Sequence, residues 1–529
     1  MTEMERQRRR AGLLAPLFSY PSTTSWGIGD IGDIAPMTSW LAGAGQRVLQ
    51  LLPLNEMVTG QQSPYSALSA MAIDPIYISL PDLPDFVAVG GETGLSASDR
   101  SELARVRREA HVDYAAVRRL KDRAFRLAFD RFYESDWLQG TDRRGALQGF
   151  LASQAWWVED YAIFRALLAS NENRRWSEWP EALRRREPAA IDRARRELTR
   201  EVLFYQYLQW IADGQWRRAR ECANANQVAL FGDLPFMVDS NSVDVWVRQR
   251  QFRLDASVGV PPDAFSDEGQ DWGMPVYRWD VLEIDDYRWL RGRARRSADL
   301  FDGYRVDHLV GFYRTYARPH DGGEPFFTPG TEPEQIALGE KLLKIFGAAG
   351  AEITAEDLGT VPDFVRASLA RQGVAGFRVF RWERDWHAPG QPFRDPSEYS
   401  PRSVAVSGTH DTTPQIDWWE EASDDEREAV ASMPTIARIT GGLFRADRPY
   451  TPAVRDALLE AMCASASDLT LIPIGDVFGW RDRINEPATT NQTNWTFRLP
   501  WPSDQLDASS EARERRETLR LWSERHGRL

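Results

Sequence analysis

The stretch GYRVDH, residues 303–308, brings a cation, a carboxylate and an imidazole close together in the chain. Arg305 and Asp307 are two positions apart, so their side chains share one face if this stretch is a β-strand. His308 follows directly. A guanidinium next to a carboxylate favours the ionised form of the acid. The pattern fits a structural ion pair, and it fits the centre of an active site equally well.

Several other short apolar runs also end in acidic residues. Asp233 comes from FGDLP, Glu356 and Asp357 from TAEDLG, Asp411 from GTHD and Asp476 from IGDV. Any one of them alone could be a helix N-cap or part of a surface salt bridge. If the runs are parallel strands of a barrel, their carboxyl ends meet around one pit. The repetition at equivalent positions therefore favours a shared active site.

Glycoside cleavage needs two carboxyl groups in opposite protonation states. One stays ionised and attacks or stabilises the anomeric carbon, which suits Asp307 next to Arg305. The other stays protonated, so its pKa must be raised. Glu356, among negative neighbours and the walls of a pit, suits this second role. The chain also has 21 tryptophans; most should fill the core, and those in clefts would suit the faces of sugars.

Metal chemistry has little support in the sequence. The chain has six histidines and two cysteines, without the CxxC or HxxxH spacings typical of zinc sites. Carboxylates alone can hold Mg²⁺ or Ca²⁺, but neither an EF-hand loop nor a phosphate-cradling loop accompanies these acids. The residues alone therefore give little support to a zinc site and leave an oxygen-ligand metal site possible in principle.

One glycine pattern imitates a dinucleotide-binding motif. Gly27, Gly29 and Gly32 form GxGxxG, which in such folds follows a strand and opens a helix. Here the pattern follows a turn-rich segment, SYPSTTSW, and Asp30 and Asp33 would place negative charge against a pyrophosphate. We interpret it as a tight loop that leads into a helix.

Composition and charge exclude several classes of function. The 529 residues carry a net charge of −13 with scattered lysine and arginine, so no nucleic-acid partner is expected. No stretch reaches the ~18–20 apolar residues of a membrane helix. The basic start followed by AGLLAPLF lacks a cleavage site, so we interpret it as the start of the fold. Two cysteines, Cys222 and Cys463, give no disulfide framework and favour a cytoplasmic location.

Alternation of strand-like and helix-like segments predicts a (β/α)₈ TIM barrel. Near-continuous apolar runs typical of strands buried on both faces occur at 47–56, 228–239, 301–308, 351–359, 374–382, 403–411 and 469–477. Residues 95–226 have helical periodicity, with Phe125, Phe129 and Phe132 as one apolar face. We predict a barrel start at 11–94, a helical insertion at 95–226 and the rest of the barrel at 227–529. The segments 240–300 and 311–335 are expected to be long connections at the active-site end.

GYRVDH, TAEDLG and GTHD, in this order and at about these separations, resemble the conserved regions of the amylomaltases. These are 4-α-glucanotransferases, or disproportionating enzymes, of glycoside hydrolase family 77, which is related to the α-amylase clan. SWGIGDIGD, SPYSALSAMAIDPIYISL, FGDLPFMVDSNSVDVW, GVPPDAFSDEGQDWGMPVYRWDVL and RINEPATTNQTNW are similar to further family stretches. The resemblance extends over roughly residues 11 to 500.

The resemblance implies roles for individual residues. Asp307 would be the nucleophile that forms a covalent glycosyl intermediate, and Glu356 would be the general acid and then the base. Asp411 would be a third acid, which holds and distorts the sugar next to the scissile bond. Arg305 would orient Asp307. Other expected substrate-binding residues are His308 and His410 at sugar hydroxyls, Tyr65 under the sugar ring, and Asp233, Trp272, Asp357 and Asn485.

The resemblance implies transfer of an α-1,4-glucan segment to the 4-hydroxyl of an acceptor glucan or glucose. Maltooligosaccharides and α-1,4-glucans would be the partners of a monomer or homodimer, with no membrane association. The resemblance also implies that the protein needs no cofactor and no metal. An α-1,4-glucan hydrolase on the same machinery is the alternative, and a glycan-binding protein without catalysis is a third hypothesis, disfavoured by the three intact acids. The sequence departs from the family pattern at Thr412-Thr413-Pro414, Gly475, Met274 and 486–489. These departures would affect subsite preference and the ratio of transfer to hydrolysis.

Overall fold

A computed structural model describes residues 9–262, 269–487, 489 and 491–529. Its strands, in chain order, are β1 (Arg10–Leu14), β2 (Val48–Gln50), β3 (Ala229–Leu234), β4 (Phe252–Val260), β5 (Gln270–Tyr277), β6 (Gly303–Val306), β7 (Thr315–Pro319), β8 (Phe326–Thr328), β9 (Glu352–Ala355), β10 (Ala375–Val379), β11 (Ser403–Val406) and β12 (Leu469–Pro473). Eight of them close into a parallel barrel in the order β1, β2, β3, β6, β9, β10, β11, β12.

The predicted (β/α)₈ barrel is confirmed. Each of the seven apolar runs contains one barrel strand, and the eighth strand, β1, lies in the segment interpreted as the start of the fold. Gly12 in β1 allows a close approach of β2, because a Cβ at this position would lie 2.4 Å from the carbonyl oxygen of Val48. The short apolar runs predicted the positions of the strands because both faces of a barrel strand are buried.

Helices surround the barrel and fill the connections between its strands. They are Ile34–Gly43, Pro84–Ala88, Ala97–Arg108, Tyr114–Phe132, Asp142–Ser170, Glu181–Arg184, Pro188–Glu197, Thr199–Ala225, Val243–Val247, Trp279–Ile284, Arg288–Leu300, Val310–Tyr313, Glu332–Gly347, Asp363–Gln372, Gln415–Glu421, Asp424–Ala431, Pro434–Thr440, Pro452–Ala464, Ile474–Phe478 and Ser510–Arg525. No helix in the described part of the chain is long and apolar enough to cross a membrane.

The segment between β2 and β3 is mainly helical, as its periodicity predicted. Phe125, Phe129 and Phe132 lie on the buried face of helix Tyr114–Phe132. This face meets helix Thr199–Ala225, where the rings of Phe129 and Phe204 have their centroids 5.3 Å apart. The latter helix ends just before β3, so it leads directly into the barrel. The subdomain boundaries at 95 and 226 stay a prediction.

A second sheet occupies the segments predicted as long connections. β4, β5, β7 and β8 form four antiparallel strands in the order β5-β4-β7-β8. No clear sequence pattern predicts this sheet, because β5 contains a glycine and a proline and alternates between exposed and half-buried positions over its first residues. Residues 263–268, between β4 and β5, lie outside the described part of the chain.

The glycine-rich stretch is the loop that the sequence predicted. Gly27 has a φ of 80°, and Asp30 accepts a hydrogen bond from Gly32 N at 3.0 Å to begin the short helix Ile31–Asp33, which continues into Ile34–Gly43. The Asp30 carboxylate also pairs with Lys121 at 3.2 Å, and both side chains are buried. Burial raises the pKa of Asp30 and lowers that of Lys121. The Lys121 ammonium donates as well to the carbonyls of Ile76 and Ile78.

Lys121→Ala should lower the free energy of unfolding by about 3–5 kcal/mol, because the buried Asp30 carboxylate would lose the one cationic contact it has among the described residues. Urea denaturation at pH 7 measures this change. Arg123→Ala on the same helix is the matched control; its side chain is 54% exposed, so the loss should be about 1 kcal/mol or less. Equal losses for the two variants would contradict the assignment of Lys121 as a buried structural cation.

Candidate active site

Arg305 is the centre of a buried ionic cluster at the C-terminal end of β6. β6 lies between β3 and β9, and the strand register places Arg305 opposite Asp233 on β3. One guanidinium nitrogen, Nη1, lies 2.6 Å from Asp233 Oδ2. The other, Nη2, lies 3.0 Å from Asp307 Oδ1 and 3.5 Å from Glu356 Oε2. The ion-pair and active-site hypotheses for GYRVDH therefore describe the same arrangement.

Asp307 and Glu356 lie side by side because of the register between their strands. Val306 pairs with Ala355, and each acid is the next residue along its strand. Their side chains remain 27% and 20% exposed, whereas that of Arg305 is 3% exposed. Both carboxylates thus face an opening above the buried guanidinium. Glu356 Oε2 also accepts a hydrogen bond from the backbone N–H of His308 at 2.6 Å.

Two of the three acids that contact Arg305, Glu356 and Asp233, have raised pKa values. Burial raises the pKa of Glu356 to about 7, and the negative charges of Asp307 and Asp411 add to this effect against the opposing Arg305. Burial likewise raises the pKa of Asp233 to about 6, against the stabilising charge of Arg305. Near neutral pH, Glu356 can therefore hold a proton. The sequence analysis predicted a raised pKa for this group.

Asp411 follows β11 and is kept ionised by its neighbours. Asn485 Nδ2 donates to Asp411 Oδ1 at 2.7 Å, and His410 Nε2 lies 3.2 Å from Oδ2. Burial acts against the charge, but His410 and Asn485 hold the pKa of Asp411 well below its usual range. Burial also opposes protonation of His410, while the Asp411 carboxylate raises the pKa of this imidazole. Asp411 thus presents a fixed negative charge to the pit.

Tyr65 connects the Asp411 side of the pit with Arg305. Its hydroxyl donates to Asp233 Oδ2 at 2.8 Å and lies 3.0 Å from His410 Nε2. Its ring stacks on that of His410, with centroids 5.3 Å apart and planes at 19°. Burial raises the pKa of Tyr65 well above its usual range, so the hydroxyl keeps its proton. The structure therefore brings Tyr65, Asp233, His410 and Arg305 into one hydrogen-bonded network.

His308 directly follows Asp307 and contacts Trp272. The Trp272 ring meets the His308 ring edge to face, with centroids 4.8 Å apart. His308 adopts a left-handed backbone conformation with φ of 46°, and burial lowers the pKa of its imidazole to about 4. A neutral imidazole can both donate and accept a hydrogen bond. The family-like stretch that contains Trp272 runs through residues 263–268, which are not described.

Two of the strand-end acids do not enter the pit. Asp357 is 4% exposed; its carboxylate accepts a hydrogen bond from Phe377 N at 2.7 Å and pairs with Arg378 at 3.2 Å. Asp476 accepts from Ser407 Oγ at 2.6 Å and from Gln415 N at 2.9 Å. These contacts tie neighbouring elements of the barrel together. The expectation that all the strand-end acids share one pit is corrected accordingly, and substrate binding by Asp357 stays a prediction.

Trp495 is a site residue that the sequence analysis did not select. Its ring lies 5.6 Å from that of Tyr65 and 5.7 Å from that of His410. Its backbone has a φ of 64°, and its carbonyl accepts a hydrogen bond from Tyr114 OH at 2.8 Å. The only available signal was its place in RINEPATTNQTNW, of which residues 488 and 490 lie outside the described part. Trp495 fixes one wall of the pit.

Two of the departures from the family pattern, Thr412 and Gly475, lie near His410. Thr412 and Gly475 both line a small cavity of about 20 Å³ together with His410. Thr412 Oγ1 accepts a hydrogen bond from Thr409 N at 2.9 Å, which closes the turn that carries Asp411. Among the described residues, no group of three or more histidine, cysteine, aspartate or glutamate side chains is arranged to hold a metal ion.

Known proteins share this chain's sequence and fold over nearly its full length. Residues 15–504 match the model of glycoside hydrolase family 77, described as 4-alpha-glucanotransferase. A 4-alpha-glucanotransferase of Chlamydia pneumoniae is 31% identical over 502 residues, which cover 92% of this chain and 91% of the relative. One of Thermus thermophilus is 32% identical over 530 residues, covering 96% and 99%. The amylomaltase from Streptococcus agalactiae in complex with acarbose superposes with a TM-score of 0.82 at 26% identity, covering 98% of this chain and 99% of that one. The chain therefore belongs to glycoside hydrolase family 77, the 4-alpha-glucanotransferases.

Proposed function

We propose that this enzyme moves a segment of an α-1,4-glucan to the 4-hydroxyl of an acceptor glucan or glucose by a retaining double displacement. The observation that carries the proposal is the shared contact of Asp307 and Glu356 with one nitrogen of Arg305, at 3.0 and 3.5 Å. Because Asp307 Oδ1 and Glu356 Oε2 both contact Arg305 Nη2, the two carboxylates lie close together. This supports the short carboxyl separation of retaining enzymes, about 5–5.5 Å, over the wider gap of inverting ones.

In the first step, a carboxylate oxygen of Asp307 attacks the anomeric carbon. The bond from this carbon to the bridging oxygen breaks, and Glu356 gives its proton to that oxygen, so that the reducing-end part of the donor leaves. Arg305 Nη2, 3.0 Å from Asp307 Oδ1, holds this carboxylate in place. The products of the step are a glycosyl ester on Asp307 and an ionised Glu356.

In the second step, Glu356 takes the proton from the acceptor's 4-hydroxyl, whose oxygen attacks the anomeric carbon and breaks the ester. The charge of Asp307 is one of the causes that raise the pKa of Glu356. Esterification removes that charge, so the pKa of Glu356 falls and the group can act as a base. One residue thus serves as acid and then as base without any movement.

Asp411 and its partners are proposed to hold the sugar ring during both steps. An ionised carboxylate fixed by Asn485 and His410 can accept hydrogen bonds from two ring hydroxyls and stabilise developing positive charge at the anomeric carbon. His308 and Trp272 would cover the acceptor side, where a well-held sugar excludes water and favours transfer over hydrolysis. The monomer-or-homodimer state and cytoplasmic location remain predictions.

Incubation with maltotriose tests this function, because the products of transfer and hydrolysis differ. Transfer should give glucose together with a ladder of longer maltodextrins, separated by chromatography. Added labelled glucose should enter the ladder as an acceptor. A mixture of glucose and maltose alone would instead identify the enzyme as an α-1,4-glucan hydrolase, and no turnover would contradict both.

A further inference from the structure

A second groove lies at the active-site end of the barrel, and none of the proposed catalytic or substrate-binding residues lines it. On one side is Trp480, which follows helix Ile474–Phe478 after β12. On the other side is the segment of residues 21–25, which comes after β1. We call it the tryptophan groove, after Trp480 and Trp501 in its lining. Its volume of about 590 Å³ is in the range of ligand-binding pockets.

The two indoles of the tryptophan groove are only partly covered by protein. Trp480 stacks on buried Phe478, with centroids 4.4 Å apart and planes at 9°, and its centroid is 5.6 Å from that of Trp501. Both side chains are half-buried. In the described part of the chain, neither indole N–H donates to a protein group, and neither is enclosed. Rings with an apolar face and a free donor at the edge suit a ligand that is itself amphipathic.

The charged groups of the tryptophan groove also indicate the kind of ligand. Arg108 and Asp482 line it and are exposed, and neither has an ion-pair partner among the described residues. Arg107, Arg498 and Glu109 also line the groove, so charges of both signs surround it. A guanidinium can donate to neighbouring hydroxyl groups and a carboxylate can accept from them. A neutral chain of pyranose rings has both features, with apolar ring faces and hydroxyls along the edges.

The tryptophan groove adjoins the proposed catalytic pit. Asp482 and Phe497 line both the groove and the small cavity that contains His410. Asp482 is three residues from Asn485, which holds Asp411, and Phe497 is two residues from Trp495. One ligand of sufficient length could therefore contact the pit and the groove at the same time.

We propose that the tryptophan groove is an accessory binding site for a linear α-1,4-glucan, separate from the subsites around Asp307 and Glu356. The proposal rests on the glucan-transfer function proposed above. A glucan held in the groove keeps its other residues near the pit at a high effective concentration, so the enzyme binds long glucans more tightly than short ones. Maltotriose should gain least from the groove, because the gain depends on one chain that contacts both sites and therefore grows with chain length.

Binding of soluble amylose to Asp307→Asn protein tests the proposal without turnover. Affinity electrophoresis should show a dissociation constant raised about fivefold by Trp480→Ala and by Trp501→Ala, in keeping with the loss of one aromatic contact each. Trp156→Ala is the matched control: this tryptophan is 42% exposed, packs on Gly292 of helix Arg288–Leu300 and does not line the groove. It should bind amylose like the parent protein, and thermal melting checks that all variants fold.

Activity assays in the otherwise unmodified enzyme separate this proposal from the function on which it rests. The ratio of activity on amylose at low concentration to activity on maltotriose should fall about fivefold in Trp480→Ala. Unchanged amylose binding, or an equal loss on both substrates, would overturn the accessory site while leaving glucan transfer intact. Absence of maltotriose disproportionation by the unmodified enzyme would overturn the proposed function itself.

Discussion

Asp307→Asn should lower kcat for maltotriose disproportionation by about 10⁴-fold or more, the scale seen when a covalent nucleophile is removed. The amide is uncharged and a poor nucleophile, so the glycosyl ester cannot form. Arg305 would keep its pairs with Asp233 and Glu356, and the cluster should therefore stay folded. Glucose release from maltotriose measures the effect.

Asp357→Asn is the matched control for this experiment. It replaces a neighbouring strand-end acid by the same amide, but Asp357 lies behind the pit against Phe377 N and Arg378. Its kcat should stay within about tenfold of the unmodified enzyme, while its stability falls because the amide cannot pair with Arg378. Similar loss of kcat in both variants, or a largely active Asp307→Asn, would remove Asp307 from the role of nucleophile.

The barrel and the three acids could be predicted from sequence for a specific physical reason. Strands buried on both faces give unbroken apolar runs, and the carboxyl ends of the strands in a closed barrel surround one opening, which an acid at the end of a run can face. The contact of Arg305 with Asp307 followed from their spacing alone. Its contacts with Asp233 and Glu356 depend on the register of β3 and β9 against β6, which no local pattern specifies.

Other features had no local signal. The side chains of Asp357 and Asp476 satisfy backbone N–H groups of neighbouring segments, and sequence cannot distinguish such an acid from one in the pit. The role of Trp495 depends on contacts with Tyr65 and His410, more than 80 residues away in the chain. The tryptophan groove likewise combines residues from both ends of the barrel sequence.

Glu356→Gln should lower kcat for maltotriose by about 10²–10⁴-fold, because the departing sugar oxygen loses its proton donor. The glutamine can still accept the hydrogen bond from His308 N and cannot donate a proton. In the unmodified enzyme, the pKa of about 7 means that the protonated acid disappears as the pH rises through 7. The value of kcat/KM for maltotriose should therefore decline on the alkaline side, in a pH profile of initial rates.

A donor with a better leaving group isolates this role. Fluoride needs no protonation to depart, so Glu356→Gln should release about one equivalent of fluoride from α-maltotriosyl fluoride in a rapid burst. The rate of the burst should show no decline near pH 7, because the titrating group is gone. Turnover after the burst should be slow, because no base activates the acceptor. Asp307→Asn should give no burst at all. If Glu356→Gln loses fluoride release as completely as maltotriose turnover, the residue positions Asp307 and Arg305 rather than transferring a proton.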